Sequence, residues 1–305
     1  SKNSKNKLPR EKSRGNLFRY PSRVAKRKIF ELENAASAVL LLTAAAALLA
    51  ANIFGNDYAN GIKPLVNDYL IAIFFFVVGQ ELRAELNRSL ALPAFAALGG
   101  MVVPAIIFKT LSDSPNWVAA LPTDIALVLG VATILKVSPA LRIFLLALAL
   151  SDDLLSIGLI ALRGSLDLLH LLPTVGATIL GLVLPLKFSL QRLSDLVIVP
   201  LFIFVNLGFE FVAPTSEAWT LAGSRTIGKT VGITLFAFIA IKLGAKTKVS
   251  IREIATGGAL AGMGLTVALY LANTDQVKIG LLIAIILSAL VAAAIAPRNQ
   301  SPAQK

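Results

Sequence analysis

Long apolar stretches separated by short polar segments make up most of this chain from about residue 35 onward. As a helix, a stretch of roughly twenty residues crosses about 30 Å of hydrocarbon. The stretches lack the alternation of a half-buried strand, so helices must satisfy their backbone hydrogen bonds. The pattern predicts an all-α polytopic membrane protein of about ten spans, at 35–54, 67–82, 90–110, 116–135, 140–162, 168–186, 193–212, 219–243, 256–273 and 277–296.

Composition agrees with a membrane protein. The chain of 305 residues is 56% hydrophobic and 15% charged, with a mean hydropathy of +0.77, whereas about a quarter of a soluble domain is charged. The absence of cysteine excludes disulfides and thiolate metal sites. The single histidine, His170, lies at a predicted loop edge, where a structural or solvated role is more common than metal binding.

A net charge of +12 would fit a nucleic-acid partner, but its distribution does not. Eleven of the 29 Lys and Arg residues lie between Lys2 and Lys28. We therefore predict no nucleic acid and a basic cytoplasmic tail (1–30) at anionic lipids. The apolar run that follows is too long for a signal peptide. One transmembrane domain (31–298) and a short cytoplasmic tail (299–305) complete the predicted organisation.

The basic residues also predict the orientation. Ten spans put both termini on one side of the membrane, and cytoplasmic loops carry an excess of Lys and Arg. With the tail inside, 23 of the 29 fall on inner segments. Lys229 falls within a span. We predict a multi-pass protein of the cell inner membrane with both termini cytoplasmic; the five outer basic residues are Lys63, Lys109, Arg163, Arg225 and Lys278.

Two spans are interrupted. Pro122 lies inside the fourth, and four glycines between residues 257 and 264 crowd the ninth. Proline removes a helix donor and glycine relaxes the backbone, although close helix packing alone explains such glycines equally well. Each break falls in the middle span of a triplet, 90–162 or 219–296, and the triplets start on opposite sides. Matched breaks of this kind indicate inverted repeats with a transport site at the membrane midplane.

Four ionisable residues lie well inside spans: Asp124, Asp152, Asp153 and Lys229. Such residues are costly in lipid and are functional by default. Asp152 and Asp153 fall near the middle of their helix and point about 100° apart. Asp152 and Lys229 could form a structural ion pair, a functional pair or both, and the sequence leaves these alternatives open. The adjacent Asp153 has no evident structural partner, which favours function.

The chemistry of such a pair is cation and proton competition. A carboxylate removed from water beside a second carboxylate holds a proton at higher pH than one in water. Deprotonated, it offers hard oxygen ligands; protonated, it cannot bind the cation. We expect Na⁺ at Asp153, Asp152 and the hydroxyl of Thr123. Because broken helices end in partial charges, Asp124 is expected to compensate the positive ends and Lys229 the negative ends.

At these residues the sequence resembles the NhaA family of bacterial sodium/proton antiporters, whose fold contains inverted repeats. The paired aspartates in a long apolar helix, with T-D upstream and G-K downstream, are a specific combination. The resemblance covers residues 30–297, and the matching stretches are FFFVVGQELRAEL (74–86), PTDIALVLGVATIL (122–135), FLLALALSDDLLSIGLIAL (144–162), VPLFIFVNLGF (199–209), IGKTVGITLF (227–236) and GGALAGMGLTVALYLA (257–272).

The resemblance implies electrogenic, pH-regulated exchange of Na⁺ or Li⁺ for more than one proton, by a transporter that is not an enzyme and needs no cofactor. Asp153 resembles the main cation ligand and Asp152 the partner of Lys229. Thr123 and Asp124 resemble the T-D pair of the broken helix, and Glu81 the acid of a cytoplasmic funnel. The chain departs from the family beside Glu81, at 174–178, where the histidine is missing, and at 228–232; these departures bear on pH regulation.

The family usually has twelve helices and forms dimers. The ten spans counted here imply that the family's sixth and seventh helices are absent, with the gap at residues 163–167. We expect a thinner scaffold and a weaker homodimer.

Three alternatives remain open from sequence. A sodium-coupled symporter of a small organic solute could share a related fold. An intramembrane aspartyl protease also uses two membrane aspartates, but its Y-D and G-x-G-D motifs do not occur here. The third is a proton channel or a scaffold. Buried charges are costly in lipid and have no evident use in a scaffold.

Overall fold

The structure, a computed structural model, describes residues 23–85, 91–163, 168–184 and 190–297. Within these ranges the regular structure is helical, without a β-strand. The helices are α1 (Arg23–Phe54), α2 (Ile71–Glu85), α3 (Ala91–Leu111), α4 (Ile125–Ile134), α5 (Pro139–Arg163), α6 (Leu168–Val183), α7 (Gln191–Leu193), α8 (Val199–Leu207), α9 (Ser216–Gly223), α10 (Lys229–Lys242), α11 (Ile251–Ala261), α12 (Thr266–Tyr270) and α13 (Asp275–Ile295).

π-helical turns and one 3₁₀ helix extend several of these α-helices. A π-helical turn at Leu65–Leu70 leads into α2, another at Ser194–Ile198 joins α7 to α8, and a third at Ser224–Gly228 joins α9 to α10. A 3₁₀ helix at Pro115–Ala120 precedes α4. Each predicted span therefore contains helix, with α5 matching its predicted bounds within one residue at either end.

The last residues of the predicted basic tail are helical. Residues 23–30 form the first turns of α1, twelve residues before the predicted span begins, and the bounds of the tail stay a prediction. Residues 1–22 and the tail 299–305 lie outside the described part of the chain, as does the loop 164–167. Lipid contact at the tails and the position of the termini stay predictions.

Four helical stretches in the described ranges are long and apolar enough to cross a membrane: 35–54, 91–111, 216–242 and 275–295. They support a membrane-embedded protein. The count of ten spans stays a prediction.

Helices α3 and α10, from different predicted triplets, pack against each other along their length. A side-chain carbon at Gly99 would lie 2.3 Å from the carbonyl oxygen of Gly232. Glycine at these positions therefore lets the two backbones approach closely. The contact joins the two triplets into one core.

Both predicted breaks are present, and they lie against each other. The first runs from Leu121 to Asp124, between the 3₁₀ helix and α4, and the second from Gly262 to Leu265, between α11 and α12. A side-chain carbon at Gly264 would lie 2.5 Å from the carbonyl oxygen of Pro122. Glycine thus allows the contact between the breaks, beyond any effect on helix flexibility.

The position of Arg225 differs from the prediction, which counted it with the outer basic residues. Arg225 lies in the π-helical turn before α10 and is 0% exposed. Backbone carbonyls surround its guanidinium and accept its hydrogen bonds, so burial does not leave the charged donors unpaired. Removing Arg225 from the outer count strengthens the inside bias of the basic residues.

Candidate ion-binding site

Asp152, Lys229 and Thr123 form a buried hydrogen-bonded group. Lys229 is the first residue of α10, and its Nζ lies 3.0 Å from Oδ2 of Asp152 in α5. The same Nζ donates to Oγ1 of Thr123 at 2.8 Å, and that hydroxyl donates to Oδ2 of Asp152 at 2.5 Å. Asp152 is 2% and Lys229 0% exposed. The first break therefore brings Thr123 to the ion pair between two full helices.

The second carboxylate oxygen of Asp152 differs from the first. Oδ1 is buried and has no hydrogen-bond partner among the described residues. A buried unsatisfied oxygen on a charged group is costly and calls for an explanation. A cation or a proton would satisfy it.

The remaining predicted ligand cannot be placed as fully. The backbone of Asp153 follows Asp152 in α5, but its side chain is not described, so its role as main cation ligand stays a prediction. His170 lies in α6, and its side chain is likewise outside the description. Among the described residues, no three His, Cys, Asp or Glu side chains cluster as metal ligands.

Asp124 links the second halves of both broken helices. Its Oδ2 accepts hydrogen bonds from the hydroxyl of Thr266 at 2.6 Å and from the backbone N–H of Thr266 at 3.3 Å. Its Oδ1 accepts from the backbone N–H of Leu127 at 3.4 Å. These donors lie in the first turns of α12 and α4, where partial positive charge accumulates. The carboxylate thus lies where the sequence analysis expected compensation of the positive ends.

Arg225 takes part in compensating the negative ends, which was not predicted. One turn before Lys229, it donates to carbonyl oxygens of both breaks. The ammonium of Lys229 contacts Asp152 and Thr123, and its expected role at the negative ends stays a prediction. Thr266 was missed because it belongs to none of the D-D, T-D or G-K motifs. For Arg225, the sequence indicated only that its charge lies four residues before Lys229, and its contacts with the breaks were not predicted.

Glu81, predicted at a cytoplasmic funnel, is half-buried one turn before the end of α2. Two residues on, Arg83 donates to the carbonyl of Val183 at 2.6 Å and ties α2 to the end of α6. The funnel itself stays a prediction.

A membrane-embedded helical core with a buried ion pair at two adjoining helix breaks defines a secondary transporter. Comparison with known proteins makes the class specific. The profile of the family described as Na⁺/H⁺ antiporter 1 matches residues 27–187 and 182–296. The chain belongs to this family.

Relatives named Na(+)/H(+) antiporter NhaA match over most of the chain. The protein of Cronobacter sakazakii is 28% identical over 87% of this chain and 95% of its own length. That of Pasteurella multocida is 32% identical over 69% and 77%, and that of Haemophilus influenzae (strain PittGG) is 30% identical over 81% and 85%.

The alignment also bears on chain length. The match to the Cronobacter sakazakii protein extends over 375 positions, more than the 305 residues here, so that relative has stretches without a counterpart in this chain. The two profile matches meet at 182–187, at the end of α6. Residues 163–167, where the missing helices were predicted, lie inside the first match. Which helices are absent stays a prediction.

Proposed function

We propose that this protein exchanges Na⁺ or Li⁺ for H⁺ across the cell membrane, using the Asp152–Asp153 pair. The observation that carries the proposal is the asymmetry of the Asp152 carboxylate. Lys229 and Thr123 satisfy one oxygen, while the other is buried without a partner among the described residues. That oxygen can accept a cation or a proton, and binding one excludes the other.

The charges of the group explain why exchange would follow. Lys229 balances one carboxylate, so a second ionised carboxylate at Asp153 would give the site the net negative charge that attracts Na⁺. Protonation of the aspartates removes the negative charge and turns one oxygen of each carboxyl group into a hydrogen-bond donor, which weakens cation binding. The hydroxyl of Thr123 contributes an oxygen in either state. A site that binds either Na⁺ or H⁺, but not both, couples the transport of the two ions, provided that the empty charged site does not readily change from one side of the membrane to the other.

A polar cavity of about 530 Å³ lies at the end of α12 that points away from the break. Its lining includes Asn67, Asn206, Tyr270 and Asp275. Tyr270 is the last residue of α12, and Thr266 at the other end of that helix contacts Asp124. One short helix therefore separates the cavity from the break. Under the predicted orientation the cavity opens to the outside.

The proposal extends to the setting of the transporter. The distribution of basic residues favours a multi-pass chain of the inner membrane with both termini cytoplasmic. The basic N-terminal residues would contact anionic lipids. The resemblance favours electrogenic exchange and a homodimer weaker than is usual in the family. The symporter alternative gains no support from the family match.

Everted membrane vesicles test the exchange directly. Respiration acidifies the vesicle interior and quenches a pH-sensitive dye, and an antiporter restores the fluorescence when its cation is added outside. We expect recovery on adding NaCl or LiCl and none with KCl. Vesicles that contain the folded protein and respond to neither NaCl nor LiCl would contradict the proposal. Sodium uptake that requires an organic solute would favour symport.

A further inference from the structure

Arg225 spans the contact between the two helix breaks. Its guanidinium donates to the carbonyls of Ala119 and Pro122 from the first broken segment. It also donates to Gly262 at 3.2 Å and to Gly264 at 2.5 Å from the second. The acceptors of the first segment lie more than 100 residues before Arg225 in sequence, and those of the second lie about 40 residues after it. One side chain thus joins three separate parts of the chain.

The acceptors explain why a cation lies there. The 3₁₀ helix Pro115–Ala120 and α11 both end at the breaks, and the last carbonyls of a helix have no intrahelical donor. They carry partial negative charge, and the membrane interior offers no water to satisfy them. A planar guanidinium with five donors can serve both ends at once, whereas an ammonium has three.

Two residues compensate the partial charges of the helix ends at the breaks. Asp124 contacts the helix starts, and Arg225 contacts the helix ends. Lys229, one turn after Arg225, contacts the Asp152 carboxylate and Thr123.

We propose that Arg225 is a positioning residue of the ion site, which holds the two breaks together so that Lys229 can leave Asp152 when a cation or proton binds. The inference rests on the proposed exchange. Because an arginine keeps its proton at all relevant pH values, the negative helix ends stay compensated throughout the cycle. Thr123, which follows the Arg225 acceptor Pro122, is thereby kept at its distance from Asp152.

A double-substitution experiment separates Arg225 from an ion-pair partner of Asp152. Thermal unfolding is measured in detergent for Arg225→Gln and Lys229→Ala, each alone and with Asp152→Asn. We expect Asp152→Asn to restore a larger share of the stability lost in Lys229→Ala than of that lost in Arg225→Gln, because Lys229 contacts Asp152 directly, whereas the hydrogen bonds of Arg225 go to backbone carbonyls. Equal restoration in both would overturn the proposal. Failure of Arg225→Gln alone to fold would agree with it.

Arg225→Lys gives the second readout. Lysine keeps the charge but has too few donors for four carbonyls. We therefore expect the Na⁺ concentration for half-maximal exchange to rise about tenfold. A tenfold change corresponds to about 1.4 kcal/mol, which is close to the contribution of one hydrogen bond to a charged group. The maximal rate should change less. Arg192→Lys, at an exposed position, is the matched control. Wild-type stability and half-maximal concentration in Arg225→Lys would overturn the proposal. The unfolding experiment needs no transport, so it stands apart from a failure of the exchange itself.

Discussion

Thr266 donates both its hydroxyl and its backbone N–H to the carboxylate of Asp124, across 142 residues of sequence. The contact ties the start of α12 to the start of α4. Two helix ends of the same sign would otherwise meet without compensation in a medium that lacks water. The carboxylate turns this repulsion into an attachment between the broken helices.

The first prediction concerns this attachment. Asp124→Asn should lower the free energy of unfolding by about 1–3 kcal/mol, because a charged acceptor of buried donors is lost. Thr266→Val should also destabilise, and the two losses should couple by about 0.5–3 kcal/mol in the double variant. Thermal unfolding in detergent measures this. Thr234→Val, whose hydroxyl contacts its own helix at Thr230, is the control, and strict additivity would argue against the contact.

The second prediction concerns Asp153, which we propose as a proton-carrying acid. Asp153→Asn should reduce Na⁺-dependent proton movement in vesicles to background, because an amide cannot exchange a proton. The control is Asp113→Asn, which removes a carboxylate from an exposed loop position. Normal exchange in Asp153→Asn would remove Asp153 from the site.

A third prediction follows from the buried pair of Asp152 and Lys229. Lys229→Ala leaves an uncompensated buried carboxylate and should cost about 3–5 kcal/mol of stability. Adding Asp152→Asn should recover part of this loss in thermal unfolding. If the double variant lost the sum of the single losses, the pair would contribute nothing as a pair.

The fourth prediction tests the core packing. A methyl group at Gly99 would meet the backbone oxygen of Gly232, which cannot move aside as a side chain can. Gly99→Ala should therefore destabilise by about 1–3 kcal/mol. Gly176→Ala in α6 meets nothing within 4 Å and should be neutral or slightly stabilising. Similar unfolding temperatures for the two variants would contradict the close contact.

The fifth prediction concerns topology, and the absence of cysteine in the chain makes labelling clean. Single cysteines at Ser4, Asp167 and Ser301, all outside the described residues, should label from the inside, the outside and the inside respectively. A membrane-impermeant thiol reagent applied to intact cells and to everted vesicles distinguishes the sides. A terminus that labels from outside the cell would refute the ten-span arrangement.

The sequence by itself determined the class of protein and the location of its breaks. Apolar stretches long enough to span the membrane identify a helical membrane protein, because lipid leaves the backbone few other solutions. Pro122 and the glycines near residue 262 marked both breaks, since each residue acts on its own backbone. Asp152 and Lys229 stood out because a charge in an apolar stretch is costly wherever it lies.

Only the tertiary structure decided which groups meet at the breaks. Arg225 was counted with the outer basic residues, and the sequence does not show its partners, which are the carbonyls of Ala119, Pro122, Gly262 and Gly264. Every residue has a carbonyl, so such acceptors leave no pattern in the sequence. The contact of Thr266 with Asp124 and the unpaired Oδ1 of Asp152 likewise depend on how distant segments pack. Residue type sets the cost of burying a charge, but the packing of the broken helices sets which partner removes that cost.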